Sequence, residues 1–388
     1  VRIAIDVRWI RAREMDGISR YVTNLVTHLM ELGANHEYFL IINPAFPTER
    51  GRREEGRTLP FSPSPALHFM EAPSPLLSLR DFYSLPAFLT RLGIHLFHAP
   101  NYLTSPWTGS YTKVVTVHDL IPFLYPKTLW RSGWKWKLYY KSKYPTYLVL
   151  HKADHLIADS ARTKRDIMDL FGISPEKITV VWPGIEARFH AGEKPSGGFL
   201  KKYGLEGDFL LYLGRQDPYK GLGLLIEAYR ALDPVLRKRY RLVIAGKKDA
   251  RYLNLLLDLI DRLSLKDRVH FLGYVPDEDL VPLYKAASLF IYPSLYEGFG
   301  FPPLEAMASG TPVIYSRGSS LEEVIGENGL AFTPNSVPEL AQAIRTLLQD
   351  SRYRATVSER GRQYTTTLTW QKTAKAILGV YETAGEDL

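Results

Sequence analysis

The chain has 388 residues, no cysteine, and a formal net charge of +8 from 49 Lys and Arg against 41 Asp and Glu. Without cysteine there is no disulfide, thiolate zinc site or cysteine nucleophile, and no apolar run reaches the roughly 18 residues a membrane span needs. The length favours two domains with real cores, and the basic balance favours anionic partners, whether nucleotide phosphates, acidic lipid or nucleic acid, without choosing among them. The first residues read as a strand and not as a basic stretch followed by an apolar one, so no secretory leader is expected and a cytoplasmic location is.

In chain order, 3–7 reads as a strand. Residues 19–32 carry Tyr21, Leu25, Val26 and Leu29 at helical spacing and stop at Gly33. Further strands are expected at 38–42, 67–70, 95–97, 114–117, 156–158 and 178–182. Residues 44–66 are rich in Pro, Arg and Glu, lack an apolar period, and are expected to form a mobile loop. Pro183, Gly184, Pro195, Gly197 and Gly198 mark 183–198 as a linker. A second series follows, with strands at 209–213, 242–245, 269–272, 289–292 and 312–315 and helices at 221–231 and 252–263. Such alternation predicts an α/β protein of two doubly wound, Rossmann-like domains, one over 1–190 and one over 199–368. The carboxyl ends of two such sheets are expected to open onto a shared cleft, the default ligand site.

Glu297-Gly298-Phe299-Gly300-Phe301-Pro302-Pro303-Leu304-Glu305 lies between the strand at 289–292 and a helix at 304–308, which Gly310 closes at its C′ position. Strand, glycine loop and helix N-terminus is where α/β proteins bind anions and sugars. Glu297 is expected in the loop and Glu305 about one turn into the helix, so that two acids reach one crevice from different elements.

Four shorter segments also follow strands. In 214–221, Arg215 can form paired hydrogen bonds to phosphate oxygens and Lys220, at the start of the next helix, adds a point charge; the same residues also fit a solvated basic turn. In 16–21, Gly17 lets backbone approach a ligand and Ser19 can cap the helix, although the full dinucleotide fingerprint is missing and a plain capped turn fits equally. His118 and Asp119 end the strand at 114–117. There His118 can donate to a sugar hydroxyl or move a proton, or the pair can simply close the strand. Asp277, after Val275 and Pro276, fits a helix N-cap; alternatively the backbone near Val275 meets a base whose amino edge donates to Asp277.

Together and in this order, these segments resemble the family-4 retaining glycosyltransferases of GT-B fold. Glu297 and Glu305, with seven residues between them, match that family's paired acids, Arg215 and Lys220 its Gly-Arg…Lys-Gly element, and Gly17 its N-terminal glycine loop. The resemblance implies that Arg215 and Lys220 bind the donor diphosphate, that Glu297 contacts the donor sugar, and that Gly298, Phe299 and Gly300 offer backbone amides. It further implies that Glu305 grips the ribose, that Val275 and Asp277 lie at the base, and that His118 reaches sugar and acceptor from the first domain. It implies no cofactor and no metal, retention of configuration by front-face attack, and a terminal helix at 369–388 that joins the first domain. Thr116-Val117-His118-Asp119-Leu120-Ile121-Pro122, followed by Tyr125-Pro126, looks like bacterial mannosyltransferases that use GDP-mannose. An acid at Asp277 suits guanine, whose N1 and N2 both donate. Ser320-Leu321-Glu322-Glu323-Val324 departs from many relatives, which have Pro in place of Glu322.

Residues 130–147 interleave Trp130, Trp134, Trp136, Tyr139, Tyr140, Tyr144 and Tyr147 with Arg131, Lys135, Lys137, Lys141 and Lys143. The pattern fits an interfacial helix on an anionic membrane, with the enzyme peripheral at its inner face, and fits an ordinary domain helix equally. No nucleic-acid motif is present. The expected partners are a nucleotide-sugar and a glycan or lipid-linked acceptor. Competing readings are a UDP-sugar-dependent transferase, a nucleotide-sugar epimerase, and a non-catalytic nucleotide-sugar binding protein.

Overall fold

The computed structural model describes residues 1–10, 16–32, 36–43, 61, 64–126, 140–192, 195 and 197–385. The described residues of Val1–Leu124, Ser132–Gly184 and Trp370–Leu388 form one compact unit, and those of Tyr125–Arg131 and Ile185–Thr369 form another. The division at 184/185 lies earlier than the expected 190. Ile185 N–H donates to the Leu368 carbonyl (2.9 Å) and the Phe189 ring packs 6.1 Å from that of Tyr284, so these residues belong to the second unit. The expected linker is also more structured than its Pro and Gly content suggests, holding a 3-10 turn at Ala187–Phe189 and a helix at Gly197–Lys202. Most of the expected loop 44–66 and residues 130–139 of the aromatic stretch lie outside the described residues.

The first unit is built on seven parallel strands, β1 (Arg2–Asp6), β2 (Glu37–Ile42), β3 (Leu67–Glu71), β4 (Leu96–Ala99), β5 (Thr112–Val117), β6 (His155–Ala158) and β7 (Ile178–Val180). Their spatial order is β3-β2-β1-β4-β5-β6-β7. Helix Gly17–Leu32 follows β1 and buries Tyr21, Leu25, Val26 and Leu29, the face its spacing predicts. Helix Trp370–Ala384 packs in the same unit: the Trp370 ring lies 5.6 Å from Tyr21, Thr373 Oγ1 donates to the Trp182 carbonyl (2.8 Å), and Tyr381 hydroxyl meets His98 Nδ1 at 2.6 Å.

The second unit holds six parallel strands, β8 (Phe209–Leu213), β9 (Arg241–Ala245), β10 (Val269–Gly273), β11 (Leu289–Tyr292), β12 (Val313–Ser316) and β13 (Leu330–Phe332). Their order is β10-β9-β8-β11-β12-β13. The central strands read as unbroken apolar runs because helices cover both faces. Leu210, Leu211, Phe290 and Ile291 are fully buried, each contributing about 2 kcal/mol by leaving water. In this order the chain reverses direction across the sheet between β8 and β11, the switch point outside which doubly wound sheets bind ligands.

Candidate active site

The loops that leave β8 and β11 at this switch point carry Lys220 and Glu297. Leu213 ends β8, and a 3-10 turn at Pro218–Lys220 follows, so Lys220 closes a turn and does not begin the helix, which runs from Leu222 to Arg230. Gly221 separates the two with φ +71°, and a methyl group on it would lie 2.3 Å from the Pro293 carbonyl oxygen. Glycine thus lets the first loop close onto the second. Lys220 Nζ then lies 2.6 Å from Glu297 Oε1 and 3.2 Å from the Tyr292 hydroxyl. The two charged side chains are only 8% and 10% exposed. The ammonium also lies over the rings of Tyr219 (5.0 Å) and Tyr292 (5.4 Å), a cation–π arrangement. Burial pushes the Tyr292 and Tyr212 hydroxyls well above their ordinary pKa, and the Glu297 carboxylate adds to it, so both phenols stay protonated. The Tyr125 ring lies 5.6 Å from Tyr219 and 5.8 Å from Tyr296, so the expected Tyr-Pro element borders this cluster.

The glutamate loop is pinned from behind. Ser320 Oγ donates to the carbonyls of Glu297 (2.8 Å) and Phe299 (3.2 Å). Gly300 adopts φ +108° at the N-cap of helix Phe301–Ala308, where a methyl group would lie 2.5 Å from Leu321 Cδ2. The helix begins earlier than expected, with the prolines in its first turn, where they cost no hydrogen bond. Gly310 follows its end at φ +77°, the left-handed C′ position expected. Glu305 is 2% exposed and accepts from the Tyr284 hydroxyl (2.9 Å).

Arg215 follows Gly214 with its side chain 69% exposed, its Nε 2.7 Å from the Asp217 carboxylate. Val275 is buried beyond β10. Asp277 is not the N-cap of its helix: Pro276 occupies that position and Asp277 is the first residue of Asp277–Ala286. Its carboxylate is bonded instead to Arg188 (2.6 Å), which also takes the Asp277 carbonyl (3.0 Å) and lies on Glu186 (3.0 Å).

In the first unit, Ser19 does not cap helix Gly17–Leu32. Its N–H donates to Asp16 Oδ1 (2.8 Å), so Asp16 is the cap, satisfying the third helical amide. Gly17 is exposed, and a methyl group there would meet nothing within 4 Å. His118 is held at both nitrogens: Nδ1 lies 2.7 Å from Asp159 Oδ2 and Nε2 2.9 Å from the Pro100 carbonyl. Both partners accept only, so both nitrogens donate and the ring is an imidazolium. Burial lowers its pKa, but the Asp159 charge and hydrogen bond, Asp119 and the Pro100 carbonyl outweigh burial and raise it. The expected free donor is therefore spent on the protein itself. Asp119 closes the strand, accepting from Ile121 N–H (2.9 Å). His98 behaves oppositely. Fully buried, with Nε2 2.7 Å from Thr116 Oγ1 and Nδ1 on Tyr381, it is pushed by burial, and secondarily by His118, down to about 3 and is neutral.

The structure thus brings Lys220 and Glu297 together, with Arg215 in the same loop as Lys220. Sequence reading missed Tyr292, Ser320, Asp217 and Asp159, and in the first unit Arg8, whose guanidinium is forked onto Asp6 (2.8 Å) and bonded to Asp81 (2.7 Å) with all three side chains fully buried. A polar residue directly after a strand was the available signal for Asp159. Arg8 and Asp217 also follow strands and lie two residues from a partner, Asp6 and Arg215, whereas Tyr292 and Ser320 are distant in sequence from theirs and carry no signal. Among the described residues, no group of three or more His, Asp or Glu is disposed to hold a metal ion, and no helix is long and apolar enough to cross a membrane.

Residues 15–189 match the family described as Glycosyltransferase Family 4, and residues 201–364 match Glycosyl transferases group 1. A relative, O-antigen chain mannosyltransferase B of Escherichia coli, is 31% identical over 291 residues, 74% of each chain. The chain belongs to this glycosyltransferase family. The glycosyltransferase is also 29% identical over 288 residues to the serotype-specific mannosyltransferase WbdA of Escherichia coli, covering 71% of this chain but 34% of that longer protein. Its fold is that of GT-B proteins: it superposes on sucrose-phosphate synthase from Thermosynechococcus elongatus with a TM-score of 0.75 over 98% of both chains, at 22% identity.

Proposed function

We propose that this glycosyltransferase transfers mannose from GDP-mannose to a glycan or lipid-linked glycan, with retention of configuration and without a metal or cofactor. The observation that carries the reading is the buried Lys220–Glu297 pair at the switch point, with the exposed guanidinium of Arg215 in the same loop. As the bond between sugar C1 and phosphate oxygen breaks, charge grows on the leaving diphosphate, and Arg215 and Lys220 stabilise it. The leaving phosphate takes the acceptor proton on the same face, so no carboxylate nucleophile is assigned. Lys220 then shares its donors between Glu297 and phosphate, while Glu297 accepts from sugar hydroxyls. Amides of Gly298, Phe299 and Gly300 support sugar and phosphate, and Glu305, oriented by Tyr284, takes the ribose. Within the first unit, Gly17 and His118 are the candidate ligand groups, the glycine by leaving room and the imidazolium only after releasing the Pro100 carbonyl.

Mannose is supported by the two relatives named mannosyltransferases. Guanine is supported by Asp277 beside Val275 on the condition that its carboxylate is shared with or released by Arg188, because guanine offers two adjacent donors to one carboxylate and uracil offers one. The test is a thermal-shift series with GDP, UDP and ADP and their sugars, since a ligand of the folded state raises apparent stability by mass action. A shift with GDP and GDP-mannose alone is expected, and a larger shift with UDP would overturn the donor. Proton NMR of the first product is expected to show the donor's anomeric configuration, unchanged by EDTA. Conversion of the donor to another hexose without acceptor would indicate an epimerase, and binding without turnover a binding protein.

Association with an anionic membrane is supported by a different set of side chains. On the first unit, Tyr83 (69% exposed) stacks on Trp107 (40% exposed) at 6.3 Å, and Lys152 Nζ lies 6.0 Å from the Trp107 ring. Helix Tyr144–Lys152 also exposes Tyr144 and Tyr147, whereas Tyr140 packs on Phe123 (5.2 Å). Aromatic rings with adjacent cations suit a lipid interface. Sedimentation with phosphatidylglycerol vesicles at low salt is expected, and its absence removes this part of the reading.

A further inference from the structure

Asp217 has a role in neither the expected motif nor the charge pair. It lies between Arg215 and Lys220, yet its side chain is fully buried, an unusual place for a loop carboxylate. Two arginines converge on it from loops that follow adjacent strands. Arg215 Nε lies 2.7 Å from Oδ2, and Arg251 Nη2 lies 3.5 Å from Oδ1. The two loops are locked together around this point. Gly246, after β9, has φ +123°, and a methyl group on it would lie 2.1 Å from the Gly214 carbonyl oxygen. Gln216 Oε1 accepts from Asp249 N–H (3.0 Å), and Asp249 grips Arg251 Nε from its other side (2.8 Å). The Tyr212 hydroxyl donates to the Arg215 carbonyl (2.6 Å).

The consequence for Arg215 is specific. A long exposed guanidinium ordinarily samples many rotamers, and ordering it on a ligand costs conformational entropy. Here the buried carboxylate pairs with Nε as an ion at 2.7 Å, although Oδ2 accepts no well-directed hydrogen bond, and Nη1 and Nη2 have no other partner among the described residues. Those two nitrogens are the pair left to take a phosphate. Arg251, on the same carboxylate, brings a second cation to the same loop junction. We propose that Asp217 is a positioning residue, which fixes Arg215 for a diphosphate and makes Arg251 the second arginine of that site. This rests on the reading of Arg215 as a diphosphate ligand.

Calorimetric titration with inorganic pyrophosphate tests it, because pyrophosphate carries neither base nor sugar. Asp217→Asn and Arg215→Ala are each expected to weaken pyrophosphate about tenfold, and Arg251→Ala about threefold, on the scale of charge-assisted hydrogen bonds. In the Arg215→Ala background, Asp217→Asn is expected to add nothing, since its effect passes through the missing guanidinium. In turnover, Asp217→Asn is expected to raise the donor KM more than it lowers kcat. Should Asp217→Asn not fold, Arg215→Lys serves: lysine keeps the charge but has no Nε to tether, so binding as weak as in Arg215→Ala is expected. Wild-type affinity in Arg215→Lys, or additive losses in the Asp217/Arg215 double variant, would overturn the positioning role alone. Unchanged pyrophosphate affinity in Arg215→Ala would instead overturn the diphosphate reading of Arg215 and the inference with it.

Discussion

At the head of the second sheet, a lysine and a glutamate from neighbouring loops face each other beside an arginine whose terminal nitrogens are unengaged among the described residues. At the head of the first sheet the ions are consumed internally: Arg8 is forked onto Asp6 and bonded to Asp81, and His118 gives both its protons to Asp159 and Pro100. Both regions are parallel-sheet switch points or their neighbours, and both bury charge. They differ in what is left over. The second unit retains donors for an anion, whereas the first spends its donors on holding the loops that follow β1, β4 and β5. Buried charge alone therefore does not mark a binding group. Unsatisfied capacity does.

The widest separation between the two regions is expected in activity. Lys220→Ala and Glu297→Ala should each reduce kcat by about 1,000-fold, the scale of losing a group aimed at developing charge, whereas Arg8→Met should act mainly on folding. In stability the order reverses toward equality, because removing one partner of a buried ion pair costs about 3–5 kcal/mol wherever it lies. Urea denaturation should show losses of this size for Lys220→Ala and for Arg8→Met. A Lys220→Met, Glu297→Gln double variant should recover most of the stability and none of the transfer. Equal transfer in Lys220→Ala and wild type would abolish the contrast.

A smaller effect is expected from Gly300→Ala. The positive φ and the 2.5 Å approach to Leu321 Cδ2 together should cost about 2 kcal/mol in chemical denaturation and misplace the Glu297 loop. Smallest is the pH dependence of the first unit, in which two histidines act in opposite directions. His118 has a raised pKa, so its contribution is complete below the ordinary histidine value of about 6.5 and is lost as pH rises through its folded value. The advantage of wild type over His118→Gln should therefore vanish on the alkaline side. His98 is depressed to about 3, so its contribution is present above about 6.5 and is lost as pH falls toward 3. His98→Gln should remove that part of the acid sensitivity, read from melting temperature across the pH range.

Much of the fold could be read directly from periodicity. The strand expected at 209–213 is β8 residue for residue, and that at 289–292 is β11. β13, Leu330–Phe332, was not anticipated, since three residues are too few to show a period. Among site residues, Lys220 and Glu297 were identified as types in loops after strands, and the structure adds that they are partners. Asp277 was read as a cap or a base ligand, and Arg188, 89 residues earlier in the chain, has claimed its carboxylate. Ser19 lost its capping role to Asp16, because the helix starts two residues before it and the cap must reach the third amide.

What the amino-acid order determined by itself is local: which runs are strands, where glycine permits a turn, and which residue types end a strand. Backbone sterics and apolar periodicity act over a few residues, so a short window contains them. What the tertiary structure decided is which charges neutralise one another. His118 is an imidazolium only because Asp159, 41 residues away, lies 2.7 Å from it, and Lys220 faces a buried carboxylate only because Glu297, 77 residues away, lies 2.6 Å from it. Electrostatic energy depends on distance in space and on access to water, and neither is encoded by separation along the chain.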